Sequence, residues 1–104
     1  MINTVTIVGR IARDLEITEN ENGKKVLTMI VAVPRDYRDT NGMYETDFIT
    51  CQLWNGTTIE TVKEYCLKGD LVGIRGKLAK LENENLKVIA EKITFLASGK
   101  GVKE

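Results

Sequence analysis

The sequence predicts an all-β fold: a five-stranded Greek-key barrel with one α-helix between the third and fourth strands. Three observations lead there. Several stretches alternate apolar and polar residues or are rich in β-branched ones, the signature of strands. Glycines fall inside two of them, at Gly9 and at Gly73 and Gly76, as barrel strands that bend or approach closely require. A single stretch, about 57 to 68, carries helical spacing instead.

The first strand covers residues 3 to 11. Val5, Ile7, Gly9 and Ile11 share one face; Thr4, Thr6, Val8 and Arg10 share the other. Gly9 suggests a bend, with Leu15 and Ile17 continuing the strand beyond it. A polar turn from Glu19 to Lys24 leads to the second strand, Val26 to Val33. Pro34 has no N–H and is expected to end it. Residues 35 to 44 read as a polar loop turning at Asn41-Gly42. The third strand follows, so strands two and three form a long hairpin. Asn55-Gly56 breaks that strand, and Thr57 or Thr58 is a candidate helix cap with Glu60 completing a capping box. Ile59, Val62 and Cys66 line one helical face, and Lys68-Gly69 is a stop signal. Leu71 to Leu78 is the fourth strand, Asn83-Glu84-Asn85 a turn, and Leu86 to Leu96 the fifth. Residues 1 to 97 make one domain, and residues 98 to 104 read as a frayed tail. Five-stranded Greek-key barrels of the OB type have this order of elements.

Composition narrows the function. The chain has 104 residues, and its 15 Lys and Arg balance 15 Asp and Glu. A polyanion site must therefore come from local clustering of cations. There is no histidine, which removes Cys–His and Ser–His–Asp catalysis. No phosphate-cradling glycine motif is present. Asp36, Asp39, Glu45 and Asp47 are the residue type a metal-dependent nuclease uses, but they lie in and beside a turn, where solvation explains them. The expectation is no enzyme, no metal and no cofactor. Two cysteines, Cys51 and Cys66, read as reduced packing residues. The start lacks a basic, then apolar, leader and no stretch approaches a membrane span, so a soluble cytoplasmic protein is expected.

The third strand, Glu-Thr-Asp-Phe-Ile-Thr-Cys-Gln-Leu-Trp from residue 45, carries the most informative pattern. Asp47, Ile49, Cys51 and Leu53 form a face suited to a core. Thr46, Phe48, Thr50, Gln52 and Trp54 form the wetter face, which displays two large aromatics. Phe48 and Trp54 lie roughly 20 Å apart along a strand, too far for one flat ligand but suited to a run of bases. Thr50 and Gln52 between them could bond base edges or phosphates. The alternative is that both aromatics cover a core or a subunit interface. Tyr37 and Tyr44 lie beside Arg35 and Arg38, an interleaving that suits single-stranded nucleic acid or an ordinary charged loop. Arg10 and Arg13 flank the first bend, and Lys77 and Lys80 end the fourth strand, with Arg75 sharing the Lys77 face. These could line a backbone groove or protect barrel edges.

Taken together, Met-Ile-Asn-Thr-Val-Thr-Ile-Val-Gly-Arg-Ile-Ala-Arg-Asp, Val-Ala-Val-Pro-Arg, Asp-Phe-Ile-Thr-Cys-Gln-Leu-Trp, the run from Lys63 to Leu78, and Ala-Glu-Lys-Ile-Thr-Phe-Leu resemble the bacterial single-stranded DNA-binding protein family. They cover nearly the whole chain. The resemblance implies an OB fold, no catalysis, and sequence-tolerant binding of single-stranded DNA in replication, recombination or repair. It implies that Phe48, Trp54 and Tyr37 stack on bases and that Arg10 lies near the DNA path. It also implies a homo-oligomer, tetramer or dimer, formed where first strands pair, which puts Thr4, Thr6 and Val8 near a two-fold axis. Arg13, Arg35, Arg38, Lys77 and Lys80 are the further candidate phosphate partners.

The chain departs from the family pattern at Leu15, where proline is common. Family members commonly continue into a disordered tail whose acidic tip recruits replication and repair proteins; this sequence stops at Glu104. A short paralogue, a DNA-binding domain of a longer protein, and the related primosomal replication protein N, a dimer used in replication restart, all fit. A protein-interaction OB module is the reading from a different class.

Overall fold

A computed structural model of the chain describes residues 1–19, 21–54, 56–80 and 85–99. Its elements in order are β1 (Val5–Ile11), β2 (Glu16–Glu19), β3 (Lys25–Arg38), β4 (Tyr44–Leu53), α1 (Gly56–Tyr65), β5 (Leu71–Lys80) and β6 (Leu86–Ala97). The first predicted strand is thus two segments, β1 and β2, with the bend between them. The sheet runs β1-β5-β6-β4-β3-β2, and β1 also pairs with β3. That extra pairing closes the five-stranded barrel. All neighbours are antiparallel except β4 and β6, which are parallel.

Closure rests on Gly9. At β1's far end Arg10 pairs with Ala32 and Ile11 with Val31. A Cβ at Gly9 would lie 2.5 Å from the Ala32 carbonyl oxygen and 2.6 Å from Val31 Cγ1. Only glycine lets the two backbones come this close. Gly76 plays the same part at a bulge in the β5–β6 ladder, where Arg75 pairs with Lys92 but Gly76 with Ala90. A Cβ there would run into the Ile89 carbonyl.

Inward residues of every strand form one core: Ile11, Leu27, Met29, Val31, Cys51, Leu53, Val72, Ile74 and Val88 are buried. Leu15 adds its own apolar side chain at 6% exposure. The helix α1 packs on this core through Ile59, which is fully buried. Emptying such a site typically costs about 2–5 kcal/mol.

Three sequence expectations are corrected. Pro34 does not end the second strand; β3 runs on to Arg38. Among the described residues β1 pairs with β3 only as far as Ala32, so a missing N–H beyond that point forfeits no ladder bond on that edge. Residues 35 to 38 therefore belong to a strand, and Asp39 alone organises the turn. Its Oδ1 accepts the Asn41 and Met43 N–H groups at 2.8 and 3.0 Å, and Gly42 takes φ +81°. Second, α1 starts at Gly56, so Thr57 and Thr58 sit in its first turn rather than at its cap; Asn55 lies outside the described residues. Third, Ser98 does not begin a frayed end. The Gly99 N–H donates to Asp70 Oδ1 at 2.9 Å, while Asp70 Oδ2 accepts the Leu67 N–H at 2.9 Å. Asp70 is buried and ties the end of β6 to the α1–β5 connection. The expected turn at Asn83-Glu84 and the tail from residue 100 lie outside the described residues.

Candidate nucleic-acid interface

The two faces of β4 differ as the alternation requires. Cys51 and Leu53 are buried, whereas Phe48 and Trp54 are 66% and 51% exposed. Trp54 follows the last residue of β4, and its Nε1–H donates to Gln52 Oε1 at 3.0 Å. That bond fixes the indole over the strand end. Gln52 and Thr50 lie half-buried on the same face.

Register brings neighbours to this face. On β3, Thr28 stands opposite Gln52, Ile30 opposite Thr50, Ala32 opposite Phe48 and Pro34 opposite Thr46. These small or β-branched residues leave the aromatics standing proud. Arg10 reaches the same face through its pairing with Ala32 and donates to the Gly69 carbonyl at 3.0 Å. A shallow, mostly apolar groove runs beside it, lined by Val8, Gly9, Ala32, Pro34, Thr46 and Leu71. Arg13 lies with Asp14 and Glu16 beside Thr28 and Ile30. On the other flank Gln52 neighbours Ile89, and Ile89 neighbours Lys77. Lys77 meets Glu91 at 3.5 Å and remains exposed.

The hairpin beyond Phe48 splits its charges between two faces. From Pro34 to Arg38, β3 uses four residues where β4 uses two, Thr46 to Tyr44. Arg38 and Tyr44 stand directly opposite each other, with the guanidinium carbon 5.3 Å from the ring centroid. Tyr44 is 55% exposed and Tyr37 is 65% exposed. Arg35 points the other way. Its Nε and Nη2 donate to both oxygens of Asp47 at 3.1 and 3.0 Å, and Nη1 lies 3.2 Å from Glu45. The Arg35 hydrogen bonds hold the Asp47 carboxyl below its ordinary value. The structure therefore gathers Phe48, Thr50, Gln52, Trp54, Arg10, Arg38 and Lys77 on one surface, and leaves Arg35 off it. Lys80 falls on the opposite side of β5 from Lys77 by alternation.

Sequence reading placed Tyr44 in a loop; it is the first residue of β4 and shares the Phe48 face. Counting back by twos from Phe48 through Thr46 finds it. Lys87 and Lys92 were missed. They join Lys77 and Arg75 on the outer surface through the β5–β6 register, Lys87 opposite Ala79 and Lys92 opposite Arg75. No local signal marks them, because the bulge at Gly76 sets which side of β6 faces out.

Thr4, Thr6 and Val8 are exposed, and Val8 is 51% exposed. Among the described residues the β1 edge toward β3 is unpaired from Val5 to Gly9, leaving main-chain donors and acceptors open. Among those residues no group of three or more acidic, cysteine or histidine side chains is placed to hold a metal, and no helix is long and apolar enough to cross a membrane.

A closed five-stranded barrel with an aromatic outer surface defines the class as an OB-fold ligand-binding domain. The chain belongs to the single-strand binding protein family, whose model matches residues 2–96. It is 34% identical to single-stranded DNA-binding protein 1 of Lactococcus lactis over 108 residues, covering 96% of this chain and 71% of that one. It is 32% identical to single-stranded DNA-binding protein B of Bacillus subtilis over 104 residues, covering 92% and 91%. Against the single-stranded DNA-binding protein of Enterococcus faecalis it is 38% identical over 85 residues, 82% of this chain but only 45% of the relative. In structure it is similar to a mitochondrial single-stranded DNA binding protein from S. cerevisiae, with TM-score 0.79 and 25% identity, covering 93% of this chain and 96% of that one. A Plasmodium falciparum protein solved with single-stranded DNA shares the fold at TM-score 0.75 and 21% identity, covering 92% and 96%.

Proposed function

We propose that this protein binds single-stranded DNA without catalysing a reaction on it, and with little regard to sequence. The observation that carries this reading is the exposure of Phe48 and Trp54 on a barrel face otherwise made of small, polar and β-branched residues. Large aromatics left in water on a folded domain call for a ligand with flat apolar faces. Bases supply them, and every base has one, so stacking tolerates any sequence. Thr50 and Gln52 offer polar contacts between the rings, and Tyr37, exposed at the hairpin but within the field of Arg35, stands at the margin of the aromatic set. Arg10, Arg38 and Lys77 are the phosphate partners on this surface, with Arg13 at its margin, and Lys80, on the other side of β5, is left out of the set. Arg35 is committed to two carboxylates and is left out of the set. The names of the relatives support the same ligand.

The protein acts as a homo-oligomer in this reading. The open β1 edge accepts a second β1 strand, and Thr4, Thr6 and Val8 line the contact. The role is protection of single strands exposed in replication, recombination or repair.

The test is binding of a fluorescent oligothymidine across a salt series, with duplex DNA as control. Affinity for the single strand should fall steeply with salt, with a slope of about −0.7 per neutralised phosphate. Phe48→Ala and Trp54→Ala should each weaken binding by roughly 1–3 kcal/mol. Salt-independent binding, or a folded double variant with full affinity, would remove the stacking mechanism and favour an interaction surface for protein partners.

A further inference from the structure

The β3–β4 hairpin is two-faced, and its two arginines have opposite assignments. Resting on the single-stranded DNA reading above, we propose that Tyr44 and Arg38 form a prebuilt stacking subsite that extends the Phe48 surface along the hairpin, while Arg35, Glu45 and Asp47 close the other face to DNA.

Three observations carry it. Tyr44, Thr46 and Phe48 alternate on one side of β4, so Tyr44 stands in line with Phe48, about 13 Å further along the strand. Tyr44 is 55% exposed, yet its ring does not stand alone: the Arg38 guanidinium carbon lies 5.3 Å from its centroid, within cation–π range. A cation over one ring face restrains the ring and leaves the other face for a base. The same guanidinium keeps its N–H donors for a phosphate. Ordering is then largely complete before the ligand arrives, which lowers the cost of binding.

The opposite face has the reverse character. Arg35 donates both of its bonds on that side to Asp47 and lies 3.2 Å from Glu45, so two carboxylates meet one cation. That local excess of negative charge repels phosphates. The Asp39 carboxylate is likewise spent inside the turn, on the N–H groups of Asn41 and Met43. A single strand following the hairpin is thereby steered toward the Tyr44 side.

The test combines affinity and salt slope on a long oligothymidine, read by anisotropy of a labelled strand, with Trp54 fluorescence followed in parallel. Tyr44→Ala and Tyr44→Leu should weaken binding roughly 5- to 150-fold, the equivalent of one lost stacked base. Tyr44→Phe should stay within about twofold, because stacking needs the ring and not the hydroxyl. Quenching of Trp54 at saturation should be unchanged in all three. Arg38→Ala should lower the salt slope by about 0.7, and Arg35→Ala should leave it unchanged. Tyr44→Leu, which keeps an apolar cross-strand neighbour in the hairpin, guards against loss of folding in the alanine variant. The subsite is overturned if a folded Tyr44→Ala or Tyr44→Leu protein binds like the parent, or if Arg35→Ala reduces the slope as Arg38→Ala does. An unmutated protein that neither binds the strand nor loses Trp54 fluorescence overturns the DNA reading itself, and this inference with it.

Discussion

Replacing Gly9 with alanine should open the barrel, whereas the same change at Gly73 should be nearly silent. Both glycines lie inside strands and neither has a left-handed backbone, so local propensity predicts the same effect for both. The surroundings differ. At Gly9 the new methyl meets the Ala32 carbonyl oxygen at 2.5 Å, Val31 Cγ1 at 2.6 Å and Val33 Cγ2 at 3.0 Å. The nearest obstacle is backbone, which no rotamer change relieves. At Gly73 the nearest atoms are Leu96 Cδ1 at 3.6 Å and Val8 Cγ2 at 3.9 Å, ordinary contact distances. Overpacking costs typically about 1–3 kcal/mol. Gly9→Ala also strains the pairing of Arg10 with Ala32, where one ladder hydrogen bond contributes roughly 0.5–1.5 kcal/mol. A total loss near 2–4 kcal/mol follows, offset by a few tenths from the stiffer unfolded chain. At about 4–8 °C per kcal/mol for a domain of this size, Tm should fall by roughly 10–25 °C. Gly73→Ala should move Tm by less than about 5 °C, in either direction. The assay is thermal unfolding followed by circular dichroism at one fixed protein concentration, since self-association raises apparent stability. Equal losses at the two sites, or a Gly9→Ala protein as stable as the parent, would refute the close approach of β1 and β3 as the basis of closure. Because Gly9 also seats Arg10 beside Ala32, the same variant should bind single strands less tightly.

Two other outcomes are expected. Cys51 and Cys66 are buried and unpaired, and burial pushes the Cys51 thiol up to about 11; burial also raises Cys66, helped by the charge of Asp70. Neither should react with a disulfide reagent until the protein unfolds, and the stability that the protonated Cys51 thiol supplies, complete below about pH 8.5, should be lost as pH rises through about 11. Val8→Arg places a charge on the exposed side of β1 next to its open edge, and in sedimentation it should shift the protein toward monomer while leaving the circular dichroism spectrum unchanged; an unshifted oligomer would move the interface elsewhere.

The β4 face was legible because strand side chains alternate strictly and the core side needed apolar residues at Ile49, Cys51 and Leu53. That left Phe48 and Trp54 outside with no freedom to be otherwise. Gly9 was legible as a bend for a similar local reason, but nothing in the sequence separates Gly76, at the bulge, from Gly73, which has ordinary contacts. Pro34 misled, because the rule against proline in strands assumes both edges are paired, and β3 has lost its β1 neighbour by that residue. Arg35 and Arg38 looked alike in sequence. Only the irregular stretch between Pro34 and Arg38 sends one toward Asp47 and the other over Tyr44. Lys87 and Lys92 depend on a ladder register set across the barrel, which no short window contains. The anchoring of Gly99 by Asp70 joins residues 29 positions apart and is equally non-local.

The central claim is that the outer face of β4 stacks on bases, and Trp54, the sole tryptophan, reports on it directly. The protein should be titrated with poly-thymidine at two salt concentrations, following Trp54 fluorescence, with duplex DNA alongside. Strong quenching by the single strand, weaker at high salt and absent with duplex, is the predicted result. Tight binding with unchanged Trp54 fluorescence would contradict it, and would move the DNA path off this face of the barrel.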